Sequence, residues 1–117
     1  DVFNFVLREV PKNIRNTFKL SNFEQEKIDF FIFHNANKFM NEYLVKKLKI
    51  DMKKTPSTIS KYGNTSSVSI PITIVDQLKG KTSGYMNLFL CGFGVGMSWA
   101  SAIIPTKSMH ISQITQV

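Results

Sequence analysis

A chain of 117 residues with 43% hydrophobic residues suffices for one compact domain, and this composition excludes a weakly hydrophobic disordered segment. Fifteen Lys and Arg against eight Asp and Glu leave a net charge of +7, which favours acidic partners. No apolar run approaches the roughly 18 residues that cross a bilayer, and no recognised nucleic-acid-binding motif accompanies the charge.

The chain begins at Asp1 with no initiator Met and no signal-peptide pattern, so its start reads as cut from something longer or engineered. A lone cysteine, Cys91, cannot close an internal disulfide, which suits a reducing, cytoplasmic compartment.

From Val2 to Leu20, the residues Phe3, Val6, Leu7, Val10, Ile14 and Phe18 recur at three- and four-residue steps and predict a helix with one buried face. Pro11 is expected to interrupt or kink it. The run from Ile28 to Phe33 is aromatic and β-branched and reads as a buried strand ending at His34. Asn35 or Asn37 then caps a helix with Met40, Tyr43, Leu44 and Leu48 as its apolar stripe and Lys38, Glu42, Lys46 and Lys49 toward water.

Thr55-Pro56 forces extended or turning backbone, Ser57 to Ile59 reads as extended, and Gly63-Asn64 marks a tight turn. Between Val68 and Leu78 two periodicities compete. Val68, Ile70, Ile72 and Ile74 alternate as in a strand, while Ile70, Ile74 and Leu78 suit a helix; propensity favours strand. A loop from Lys79 to Gly84 precedes a strand from Met86 to Cys91, a glycine-rich turn, and a further strand from about Met97 to Ile104. Pro105 is expected to end the pattern, leaving a polar tail over 106–117.

Three segments in order carry a family resemblance: Phe33-His34-Asn35-Ala36-Asn37, Tyr62-Gly63-Asn64-Thr65-Ser66-Ser67, and Gly92-Phe93-Gly94-Val95-Gly96 with Trp99. They are similar to the His-Gln-Ala-Asn, Gly-Asn-Thr-Ser and Gly-Phe-Gly-Xaa-Gly motifs of the β-ketoacyl-acyl-carrier-protein synthase III condensing enzymes of the thiolase superfamily. The resemblance covers 1–105 and implies the C-terminal half of a thiolase-like α/β fold, a mixed sheet with helices on both faces. It also implies that Ser67 to Leu78 is helix, with Pro71 tolerable only near the first turns.

In that family the reactive Cys belongs to the N-terminal half, which this chain lacks, so the fragment alone is expected to be inactive. The resemblance assigns His34 and Asn64 as paired neutral hydrogen-bond donors to the thioester oxygen of a decarboxylating malonyl group. A histidine serves here in its neutral form, which burial favours. The resemblance implies that Phe93, Gly94 and Val95 lie in a loop whose backbone N–H completes an acyl-enzyme oxyanion hole. Asn37 matches a contact to the pantetheine arm, with a helix cap as the alternative. Asn35, where the family usually has Gln, and Lys38 are assigned to carrier-protein docking, weakened because Phe39 replaces a common Arg.

The implied reaction is decarboxylative Claisen condensation of an acyl-CoA with malonyl-acyl-carrier-protein in fatty acid biosynthesis, with no metal and no permanently bound cofactor. The implied partners are the N-terminal half, a second copy in a homodimer, and acyl carrier protein, with neither nucleic acid nor membrane. The alternatives are acyl transfer to oxygen or nitrogen, and a non-catalytic dimerisation or carrier-docking half. Cys91 reads as core and His110 as lying outside the chemistry.

Overall fold

The computed structural model describes residues 2–94 and 98–115. Its elements run α1 Val2–Ser21, β1 Phe30–Phe33, α2 Lys38–Lys47, α3 Ile59–Tyr62, α4 Ser69–Gln77, β2 Tyr85–Gly94 and β3 Ser98–Lys107. Among the described residues the sheet is three-stranded, with β2 central, parallel to β1 and antiparallel to β3. Helices lie on both faces.

Alternation along the strands creates two cores. Phe31, Phe33, Phe89, Cys91 and Phe93 meet Val6, Val10, Ile14 and Phe18 of α1 and Met40, Leu44 and Val45 of α2. Phe18 stacks on Phe89 with ring centroids 5.0 Å apart. On the opposite face Ile32, Met86 and Leu88 meet Ile70 and Ile74 of α4 and buried Leu78 just beyond its end.

α1 continues through Pro11 without the interruption that was one of the two expected outcomes. Proline removes the N–H that would bond the carbonyl of Leu7, at a cost of about 3 kcal/mol or more. Burial of the stripe on either side outweighs that loss: Val10, Pro11 and Ile14 are all fully buried. In α4, Pro71 is the third helical residue, where an N–H has no intrahelical partner in any case.

Several boundaries differ from those the sequence suggests, and β1 begins at Phe30 rather than Ile28. The 57–59 stretch leads directly into α3. β2 extends through Gly92 and Gly94, which pair with Ala100 and Ser98, where the sequence suggests a turn. β3 passes Pro105, opposite Asn87, and ends at Lys107; on an edge strand the missing N–H can face outward. Beyond it, Met109 and Ile111 pack on the second core and the Thr82 hydroxyl donates to the Met109 carbonyl at 2.8 Å, so the tail is partly docked.

Candidate active-site cleft

β1 ends by handing its ladder to the next residue: the His34 N–H donates to the Cys91 carbonyl at 2.9 Å, one rung beyond the Phe33 and Cys91 pair. This fixes His34 at the carboxyl end of a parallel strand, where α/β sheets commonly bind ligands. The imidazole meets the Phe93 ring edge-on, with centroids 5.4 Å apart. Its Nδ1 lies 2.7 Å from the Ser69 hydroxyl oxygen at the start of α4. Burial pushes the His34 pKa below its ordinary value, with an interaction from the Ser66 backbone acting in the opposite direction. Neutral imidazole is therefore favoured.

Asn64 arrives on a constrained turn. Gly63 has φ +69° and ψ −157°, a region essentially reserved for glycine, and Ser66 adopts φ +58°. The turn sets the Ser66 N–H on the Asn64 side-chain oxygen at 2.8 Å, while the Asn64 amide donates to the Ala36 carbonyl at 3.3 Å. These two contacts orient the carboxamide, and its second N–H remains available. Asn64 is thus tied to the segment that carries His34.

His34 and Asn64 share the walls of one cleft of about 810 Å³, together with Met40, Ser66, Ile70 and Phe93. Gly92 and Gly94 complete its lining along β2. Val95 lies outside the described residues. A separate groove of about 390 Å³ runs beside α2, bordered by Lys38, Glu42, Lys46 and Met52, and contains neither His34 nor Asn64. No cluster of three or more His, Cys, Asp or Glu suited to a metal ion occurs among the described residues.

The Asn37 side chain accepts the Met40 N–H at 2.8 Å and caps α2, so its oxygen is committed. Lys38 is exposed and lies 3.9 Å from Glu42. The docking assignment of Asn35 requires correction: Asn35 is only 1% exposed. Its amide donates to the Thr58 and Thr73 hydroxyls at 3.0 and 3.1 Å and its oxygen accepts from the Asn41 amide at 3.0 Å. A side chain so enclosed cannot meet a carrier protein. It instead ties the β1–α2 junction to α3 and α4.

Sequence reasoning missed Ser69, which is buried against His34. The spacing signal was present, because Ser69 opens the helix after the Asn64 turn, but only the fold brings it beneath the imidazole. Cys91 is fully buried and its thiol is pushed up to about 11 by burial, which identifies a core residue.

The fold and cleft define an α/β chain that presents a neutral imidazole and an oriented carboxamide together, a donor arrangement suited to negative charge developing on a substrate oxygen. Residues 18–106 match the family described as 3-oxoacyl-[acyl-carrier-protein (ACP)] synthase III C terminal. This chain belongs to that family. It is 37% identical over 106 residues to the β-ketoacyl-[acyl-carrier-protein] synthase III of Lactococcus lactis, covering 88% of this chain and 33% of that protein. The synthase III of Prochlorococcus marinus is 36% identical over 105 residues, covering 89% and 31%.

A solved 3-oxoacyl-(acyl-carrier protein) synthase from Burkholderia xenovorans superposes with a TM-score of 0.90 at 39% identity, over 96% of this chain and 32% of that one. The synthase III from Thermus thermophilus gives 0.84 at 25% identity, over 92% and 34%. The chain therefore spans about a third of the length of these relatives. The family match also extends beyond Pro105, in keeping with the observed length of β3.

Proposed function

We propose that this chain supplies the decarboxylating half of a β-ketoacyl-acyl-carrier-protein synthase III-type acyltransferase of fatty acid biosynthesis, and that the reactive Cys comes from an N-terminal half. The observation that carries this reading is the presence of His34 and Asn64 on one cleft, with burial holding the imidazole neutral. An acyl-CoA first acylates the Cys: the bond from the acyl carbon to the CoA sulfur breaks, and CoA leaves as the free thiol with the proton of the Cys. A malonyl thioester on acyl carrier protein then loses carbon dioxide: the bond to its carboxylate breaks, and the electron pair passes to the α-carbon and thioester oxygen as an enolate.

The His34 Nε2–H and the second Asn64 N–H donate to that oxygen. The α-carbon attacks the acyl-Cys carbonyl, forming the carbon–carbon bond, and the thiolate leaves. Each preorganised donor of this kind contributes roughly 3–4 kcal/mol to transition-state stabilisation. A backbone N–H near Phe93, Gly94 and Val95 completes the oxyanion hole for acyl transfer. Asn37 offers its amide N–H groups to the pantetheine arm, since capping uses only its oxygen.

Lys38 and the exposed lysines Lys46, Lys47 and Lys49 form a basic face for the acidic carrier. The intact enzyme is a cytoplasmic homodimer, and the 117-residue chain alone is inactive. Among the described residues no helix is long and apolar enough to cross a membrane. The test joins this chain to its upstream segment and follows carbon dioxide release and product mass from acyl-CoA and malonyl-acyl-carrier-protein. A β-ketoacyl product with stoichiometric carbon dioxide is expected; an O- or N-acyl product without carbon dioxide contradicts the proposal.

A further inference from the structure

We infer that Ser69 is a positioning residue that fixes the tautomer of His34, holding the ring proton on Nε2 so that the imidazole can act as a donor in the cleft. The inference rests on the donor role proposed for His34 and adds the group that enforces it. Ser69 is 1% exposed, so its single hydroxyl proton needs a protein partner.

Two contacts reach its oxygen among the described residues: the Asn35 backbone N–H at 3.3 Å and His34 Nδ1 at 2.7 Å. A backbone N–H can only donate, so the Ser69 oxygen is the acceptor toward Asn35. The ring contact then has two possible directions. If Nδ1 carried the proton and gave it to Ser69, the buried Ser69 hydroxyl proton would have no acceptor among the described residues. If Ser69 donates to Nδ1, the hydroxyl proton, its oxygen and Nδ1 are all satisfied and the ring proton resides on Nε2. A stranded buried donor loses its hydration without return, so the second arrangement is favoured.

The surroundings hold both partners in place. The Thr73 hydroxyl donates to the Ser69 carbonyl at 2.7 Å, and the buried Asn35 side chain binds Thr58 and Thr73. The Asn35 peptide and Ser69 are thereby held on a common frame, and the Phe93 edge restrains the ring. The Ser66 backbone also interacts with the imidazole.

The chain has two histidines, so imidazole nitrogen NMR resolves the question directly, with His110→Gln assigning the signals. Above the pH at which His34 titrates, Nδ1 is expected to be unprotonated and Nε2 protonated. Ser69→Ala is expected to shift both signals toward a tautomer mixture, and Ser69→Thr, which keeps the hydroxyl, to restore the wild-type pattern. A protonated Nδ1 in the wild-type chain overturns the inference, whether or not Ser69→Ala folds. So does a folded Ser69→Ala chain with unchanged signals. None of these readouts depends on activity, so the tautomer assignment and the decarboxylation proposal fail or stand separately.

Discussion

Replacing Asn35 by Ala removes the polar centre of the β1–α2 junction while leaving the apolar cores untouched. Three side-chain hydrogen bonds are lost, at 3.0 Å to Thr58, 3.1 Å to Thr73 and 3.0 Å from Asn41, with a longer 3.4 Å contact from Ser57. At about 1 kcal/mol net for each of the three, the direct loss is about 3 kcal/mol. Thr58 and Thr73 lie 3.1 Å apart and can satisfy each other, but the half-buried Asn41 amide loses its acceptor, adding about 1 kcal/mol.

The expected destabilisation is therefore about 4 kcal/mol, or roughly 15 °C in Tm for a chain of this size. Urea unfolding followed by far-UV circular dichroism and by Trp99, the one tryptophan, measures it. A loss below about 1 kcal/mol at unchanged denaturant sensitivity would refute the reasoning, because it would mean that these contacts do not restrain Asn35.

Gly63→Ala meets no steric contact within 4 Å, so its cost isolates the backbone conformation: about 1–3 kcal/mol, read as a drop in urea midpoint. His34 should titrate below 6.5, its ordinary value, in an NMR pH series, and a midpoint at or above 6.5 contradicts the burial argument. Because its folded pKa is depressed, its contribution to stability is complete above the unfolded pKa and is lost as pH falls through the lower folded value. Cys91, with its thiol pushed up to about 11, should resist iodoacetamide at neutral pH until urea unfolds the chain; equal native and unfolded rates contradict its burial.

Periodicity located α1 and α2 because each buries one face, the apolar runs of β1 and β2 marked strands buried on both faces, and the strand end at His34 was legible from the polar residues after Phe33. The segment before Leu78 was not, since its Ile and Val residues satisfy both periods. Packing of Ile70 and Ile74 on the sheet decides for helix. The fate of Pro11 and Pro105 depended on tertiary surroundings, a buried stripe in one case and a sheet edge in the other. Asn35 and Asn37 are both polar residues near a helix start, yet one is enclosed and the other caps; only the turn after β1 distinguishes them. Ser69 and His34 are 35 positions apart, so their contact belongs to the fold alone.

The central claim is that His34 and Asn64 act together on the malonyl thioester rather than on the reactive Cys. Its most direct test is the rate of labelled carbon dioxide release from malonyl-acyl-carrier-protein in the intact enzyme carrying both His34→Ala and Asn64→Ala, alongside the rate of Cys acylation from acyl-CoA. Decarboxylation is expected to fall by more than about 10²-fold while acylation stays near wild type. Wild-type carbon dioxide release from the double variant would contradict the claim.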